Sequence, residues 1–296
     1  MKKYAFWPLL TLLGGIAAFG LRLMQNRTGF EAETGLPVSG NPFALALPIL
    51  LVVLALLFFL LSRNLPAGKG EGGFTDRFRS SGALLPTLLV LGIFLWILAG
   101  AGEIFSGFVS AQTADTALSA AGLGYASSAI SPRVTALLGL LTAVSATCLL
   151  PAVSCLRHAK QALNGNLLLA PVACLVIRLV LTYREDSVNP SLSAYYPELL
   201  ALIFLILTLY RVSSFAFRDG RTRRFAFCAG MAVVFCLVTL ADDHTLPAML
   251  LYGGGAVLAL AFLLLRLEGL ATARGHAEST SRDDDPDLPD SEPSDQ

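Results

Sequence analysis

Long apolar runs alternate with short polar connections along most of the chain. The runs are close to 20 residues long, which is the length that one α-helix needs to cross the hydrocarbon core of a bilayer. The eight predicted membrane-spanning helices cover residues 4–23, 43–61, 83–102, 134–156, 167–183, 198–217, 225–241 and 246–265. The pattern therefore predicts an all-α, polytopic integral membrane protein.

Composition supports this class. Hydrophobic residues make up 55% of the 296 residues, charged residues make up 14%, and the mean hydropathy is +0.67. A typical soluble domain has about 25% charged residues, so a soluble globular protein is excluded. The lipid bilayer is the expected environment, and nucleic acid is not an expected partner.

The distribution of Lys and Arg predicts the orientation. Cations precede the first span and concentrate in the connections between spans two and three, four and five, and six and seven. Because short cytoplasmic loops carry an excess of Lys and Arg, we expect both termini to be cytoplasmic. The compact loops and lack of attached domains favour the cytoplasmic membrane of a bacterium. The N-terminal apolar run also suggests a signal peptide, but it exceeds the usual apolar region of roughly 7 to 15 residues.

The chain changes character after the last span. Residues 1–267 are predicted to form the eight-helix transmembrane domain, whereas residues 268–296 are acidic, contain several prolines and have few apolar side chains. Such a segment cannot bury enough apolar surface to fold, so it is predicted to be a disordered cytoplasmic tail. A docking segment for a basic protein is the alternative.

Arg178 is the most unusual residue within the predicted spans. It lies in the otherwise uncharged fifth span. A charged side chain in hydrocarbon costs roughly 2.5 to 3.5 kcal/mol on translocon-based scales, so it is normally paired or faces water. We expect the guanidinium to point into the bundle, toward Glu103 or Asp242.

Several carboxylates follow the predicted exterior ends of spans. Glu103 follows the third span, and Asp242 and Asp243 follow the seventh. The backbone dipole leaves partial negative charge at a helix C-terminus, so these anions need compensating cations. The candidate cations near the same side are Arg22, Arg133 and Arg178.

Glu198 stands at the same side in a different setting. Pro197 and Glu198 are predicted to open the sixth span, where proline suits the first helical position and a carboxylate suits the dipole. This helix-start role is sufficient to explain Glu198, although its position keeps it among the candidate site residues.

Three segments have alternative interpretations. Gly100, Gly102 and the glycines at 253–255 indicate either close helix packing or local unwinding beside a cavity. Residues 106–131 are rich in small residues, which fits a surface helix or a re-entrant half-helix.

Two explanations compete for these charged residues, with a proton relay as a further alternative. They form internal ion pairs that orient the helices, or they line an exterior-facing vestibule that binds or transports a small polar solute or ion. Alternatively, the protein is a sensor or assembly subunit that contacts a protein partner through its basic cytoplasmic loops and acidic tail. The vestibule is the leading functional hypothesis.

Enzyme chemistry has no motif to support it. The sequence contains no phosphate-binding loop ending in Lys-Ser or Lys-Thr, no HExxH and no GxSxG. The triplet Asp242, Asp243 and His244 has metal-binding residue types, but adjacent residues in a helix-to-helix turn are more often solvated or capping. No catalytic residue, metal or cofactor is predicted.

Overall fold

The structure is a computed structural model that describes residues 6–29, 41–66, 74–78, 82–121, 131–157, 163–186 and 192–283. Its regular secondary structure within these ranges is helical, with no strands. Eight of the described helical segments are long and apolar enough to cross a membrane. The prediction of an all-α protein with eight membrane-spanning helices is confirmed, whereas the orientation of the termini stays a prediction.

The described chain contains ten α-helices, of which α3 is a single turn. They are α1 (Phe6–Thr28), α2 (Pro42–Arg63), α3 (Phe74–Arg77), α4 (Leu84–Ala121), α5 (Pro132–Thr147), α6 (Leu150–Arg157), α7 (Ala170–Asp186), α8 (Leu192–Ala216), α9 (Thr222–Thr239) and α10 (Leu246–Asp283). Together α5 and α6 form one span, and a 3-10 turn at Gly165–Leu169 precedes α7 within another.

Six spanning helices pack in a closed ring in the order α4, α5, α7, α8, α9 and α10. Helices α1 and α2 lie outside this ring against α9, which is the most buried of the eight spans. We call the end of the bundle where α1 and α9 end, and where α5, α8 and α10 begin, the outer end. The opposite end is the inner end. Side chains that point into the ring are therefore shielded from lipid.

Glycines allow two ring helices to touch. A Cβ added at Gly100 of α4 would lie 2.5 Å from the carbonyl oxygen of Gly139 in α5, and a Cβ at Gly139 would lie 2.6 Å from the carbonyl oxygen of Gly100. A Cβ atom does not lie this close to another heavy atom in real structures, so the crossing of α4 and α5 requires glycine on both helices. Close packing of this kind replaces the hydrophobic drive that is weak between helices in lipid.

Buried arginines tie the inner end together through neutral oxygens. Arg266 of α10 donates to the Thr222 hydroxyl at 2.7 Å and to the Arg77 carbonyl at 2.8 Å. Arg77 donates to the Gly220 carbonyl at 3.1 Å, and both guanidinium groups lie within 6 Å of the Phe215 ring. These bonds connect α3, α10 and the link between α8 and α9.

The prediction that the third span ends before Glu103 is wrong. Helix α4 continues to Ala121, so Glu103 lies in its interior and not at a C-terminus. The apolar side chains of Phe105 and Phe108 extend the spanning segment beyond Glu103, whose charge is neutralised by Arg178. The segment proposed as a surface or re-entrant helix is continuous with α4 as far as Ala121, and residues 122–130 lie outside the described part.

The predicted start of the sixth span is also wrong. Helix α8 begins at Leu192, so Pro197 lies inside it and Glu198 is not a helix-start residue. Proline at this position removes one backbone hydrogen bond, and membrane helices tolerate this where neighbouring groups satisfy the freed carbonyl. The position of Glu198 therefore needs another explanation.

Local unwinding at the glycine triplet is not observed, because residues 253–255 are continuous helix in α10. Gly254 lies against Trp96 and Gly255 lies against Leu205, so both serve close packing.

The last helix extends beyond the membrane-spanning segment, which ends at Thr272, and continues to Asp283. The first part of the predicted disordered tail is thus helical. Residues 284–296 lie outside the described residues.

Candidate functional site

Arg178 lies inside the ring and joins three helices. Its Nη2 atom donates to Oε2 of Glu103 on α4 at 2.6 Å and to the Thr142 hydroxyl on α5 at 3.0 Å. The side chains of Arg178 and Glu103 are each only 9% exposed. Thr142 in turn donates its hydroxyl proton to the Leu138 carbonyl at 2.8 Å. The guanidinium therefore points into the bundle interior, toward one of the two carboxylates expected from the sequence.

Burial makes the two charges of this pair dependent on each other. Removing one member of a buried ion pair typically costs about 3 to 5 kcal/mol, because the remaining charge is left without compensation. Replacing both members with apolar groups is often neutral. Each of the two charges is thus tolerated inside the ring only while its partner is present.

A second pair connects α1 to the end of α9. Nε of Arg22 lies 2.6 Å from Oδ1 of Asp242, and the Arg22 side chain is 2% exposed. Asn26, one turn further along α1, donates to the same carboxylate oxygen at 2.8 Å and to the Ala241 carbonyl at 3.0 Å. The carboxylate just beyond the C-terminus of α9 is therefore compensated by a buried cation, as the dipole argument requires.

A third polar contact involves Tyr252 of α10. Its hydroxyl donates to Oε1 of Glu198 at 2.6 Å, and its ring centroid lies 5.6 Å from that of His244. Tyr252 is almost completely buried. Within the described part of the chain, Glu198 accepts this hydrogen bond but belongs to no ion pair.

These three groups are neighbours in the outer half of the bundle. Tyr252 interacts electrostatically with Arg178 as well as with Glu198, and Tyr196 does so with Arg22 and Asp242. We call this assembly the outer polar band. Its members are Arg22, Glu103, Thr142, Arg178, Tyr196, Glu198, Asp242, His244 and Tyr252.

Three atoms of the outer polar band are buried but have no hydrogen-bond partner among the described residues. They are Nε of Arg178, the hydroxyl of Tyr196 and Nε2 of His244. A buried polar group without a partner costs about 1 to 3 kcal/mol. Three such atoms on three different elements are therefore energetically unfavourable in the absence of a ligand. Chemically, they offer a fixed N–H donor, a hydroxyl that donates or accepts, and an imidazole nitrogen that does either.

The remaining predicted site residues lie elsewhere. Arg133 is exposed in the first turn of α5, and Asp243 is exposed in the turn between α9 and α10. Neither forms a salt bridge with another described residue. Among the described side chains, no group of three or more His, Cys, Asp or Glu residues is placed to hold a metal ion.

Four residues of the outer polar band were not predicted from the sequence, namely Thr142, Tyr196, His244 and Tyr252. Thr142 and Tyr252 are polar positions within apolar spans, and this is the signal that could have indicated them. His244 was considered only as part of the triplet with Asp242 and Asp243.

The fold and the outer polar band define a multi-pass α-helical membrane protein with charged residues paired inside its helix bundle. Comparison of the chain with protein-family models, curated proteins and solved structures finds no match.

Proposed function

We propose that the protein binds or transports a small polar solute or ion at the outer polar band, through a charged vestibule that faces the exterior of a bacterial cytoplasmic membrane. The observation that carries this proposal is the set of three buried, unpartnered atoms on Arg178, Tyr196 and His244. Ionisable residues inside a membrane domain, such as Arg178, commonly mark substrate or ion pathways.

The geometry of Arg178 supports a ligand in addition to Glu103. Arginine binds a carboxylate most strongly through two parallel N–H bonds, yet here Nη2 makes both described bonds while Nε makes none. A solute oxygen that accepts from Nε would use the free arm of the guanidinium without breaking the ion pair.

The charge balance adds a second requirement. The charges of Arg178 and Glu103 cancel, as do those of Arg22 and Asp242, but Glu198 adds a carboxylate with no cation opposite it among the described residues. The band therefore favours a solute that presents both an acceptor oxygen and a positive or strongly donating group. Small amphoteric solutes, such as amino acids, have this combination.

Tyr196→Phe tests the proposal because it removes one unpartnered hydroxyl and little else. The purified variant and wild type are screened for thermal stabilisation by amino acids, simple carboxylates, simple amines and monovalent cations. We expect a solute that stabilises wild type to lose at least about fivefold in affinity, the value of one modest hydrogen bond. The stability without solute should not fall.

Tyr210→Phe is the matched control, because Tyr210 is exposed on the same helix, α8, outside the outer polar band. It should bind like wild type. If no class of solute stabilises wild type, or if both variants bind as wild type does, the vestibule is not a binding site.

The second candidate is a sensor or assembly subunit. It is favoured by the continuation of α10 beyond its membrane-spanning segment at the inner end. If removal of residues 268–296 abolishes binding of a specific co-purifying protein while variants of the band change nothing, this candidate replaces the vestibule.

A further inference from the structure

A groove runs between α4 and α5 at the outer end, on the outside of the ring. Its volume is about 590 Å³, and all but one of its lining residues are apolar. The walls and floor include Ile104, Gly107, Phe108, Ala136, Leu137 and Leu140. The exception is Arg133, at the end of the groove where α5 begins.

The groove results from the close crossing of the two helices. A Cβ added at Gly107 would lie 2.8 Å from the Pro132 carbonyl oxygen, so the helices approach closely along a line of small residues. The larger side chains on either side, Phe108 and Leu137, are each 64% exposed and stand away from the crossing. Small residues thus form the floor, and large apolar residues form the walls.

The groove opens on the outer surface of the bundle, away from the interior of the ring. Its walls belong to two segments, Leu84–Thr113 and Pro132–Leu156, that are apolar enough to span the membrane. From Arg133 to Leu140 the groove extends seven residues, or roughly 10 Å along a helix. That length reaches from the membrane surface into one leaflet, whose hydrocarbon is about 15 Å deep.

Arg133 determines which occupant the groove fits. It is exposed, forms no salt bridge with a described residue, and lies in the first turn of α5, where the helix dipole adds partial positive charge. An apolar groove within one leaflet that ends in a cation at membrane-surface level complements an amphiphile with an apolar chain and an anionic head. We propose that the groove binds an anionic phospholipid, with part of one acyl chain between α4 and α5 and the phosphate at Arg133.

Native mass spectrometry of the detergent-purified full-length protein tests this site. Phosphatidylglycerol and phosphatidylcholine with the same acyl chains are titrated separately. Wild type should prefer phosphatidylglycerol by about fivefold, the effect of one cation near a membrane surface. Arg133→Ala should remove this preference, and Arg133→Lys should keep most of it.

Ala111→Phe tests the apolar part, because Ala111 lines the groove and a phenyl ring there would fill it. It should weaken binding of both lipids. The matched controls are Arg27→Ala, at an exposed arginine in the last turn of α1, and Ala17→Phe, at an exposed alanine of the same helix.

Neither control should change lipid binding. Equal binding of the two lipids by wild type overturns the proposal, as does unchanged phosphatidylglycerol binding in Arg133→Ala. If Ala111→Phe does not fold, the comparison of Arg133→Ala with Arg133→Lys still decides the question. The solute site proposed above does not depend on this result.

Discussion

Nη2 of Arg178 and Oε2 of Glu103 lie 2.6 Å apart inside the helix ring, although the two residues are separated by 75 positions in sequence. They belong to α7 and α4, which both pack against α5. Thr142 of α5 accepts a second hydrogen bond from the same guanidinium nitrogen. One arginine thereby fixes the relative positions of three helices.

Single substitutions in this pair should be costly, and the double substitution should be tolerated better. We expect Arg178→Ala and Glu103→Gln each to lower the free energy of unfolding by about 3 to 5 kcal/mol, because each leaves a buried partner unpaired. In the double variant, part of that loss should be recovered. Unfolding in mixed detergent measures all three. Strictly additive losses would contradict an interacting pair, and Arg27→Ala, at an exposed position, should stay within about 0.5 kcal/mol of wild type.

Two tyrosines whose hydroxyl groups are buried should respond differently to loss of the hydroxyl. Tyr252→Phe removes a hydrogen bond to the Glu198 carboxylate and should cost about 1.5 to 3 kcal/mol. Tyr196→Phe removes a hydroxyl without a described partner and should leave stability unchanged or raise it. The comparison is made by thermal unfolding in the absence of added solute. A similar loss in both variants would show that Tyr196 has a structural partner.

Glycines at the crossing of α4 and α5 should not tolerate a methyl group. Gly139→Ala places its Cβ 2.6 Å from the Gly100 carbonyl oxygen, so we expect a loss of about 1 to 3 kcal/mol from overpacking. Gly253→Ala is the matched control, because a Cβ there meets nothing within 4 Å. It should be neutral or gain about 0.5 to 1 kcal/mol, since alanine stabilises a helix relative to glycine. Unfolding transitions of the two variants give the comparison, and equal stability would contradict the tight crossing.

The even number of spans places both termini on the same side of the membrane, and the distribution of cations predicts that this side is the cytoplasm. A reporter that is active only in the cytoplasm should work when fused after Gln296, and a reporter that is active only outside should work when inserted in residues 30–40. Activity of the exterior reporter at the C-terminus would reverse the assignment of the outer end.

Long apolar runs made the number of membrane-spanning helices predictable, because the bilayer imposes a minimum length on each span. Helix ends were less predictable. Glu103 was taken as the end of a span since a charge normally avoids hydrocarbon, but its partner Arg178 comes from a distant helix, and local sequence does not contain that information. The same applies to Pro197, which suits a helix start and yet lies inside α8.

The residues of the candidate site were partly predictable from the sequence. Charged residues in or beside apolar spans are few, so Arg22, Glu103, Arg178 and Asp242 could be selected, and the structure joins them as two ion pairs. Neutral polar residues such as Thr142 and Tyr252 are common in membrane helices, and only their three-dimensional neighbours distinguish them. The groove at Arg133 depends on the crossing of two helices and has no local sequence signal.

The pairing of Arg22 with Asp242 has a consequence for biosynthesis. The two residues are 220 positions apart, and α1 leaves the ribosome long before α9. At a synthesis rate of about 5 to 20 residues per second, roughly 11 to 44 s pass between synthesis of Arg22 and synthesis of Asp242. During that interval α1 has only α2 of its two main neighbours. Docking of the first helix is therefore one of the last steps of assembly, and a chain arrested before α9 would lack both the Asp242 carboxylate and the helix against which α1 packs most extensively.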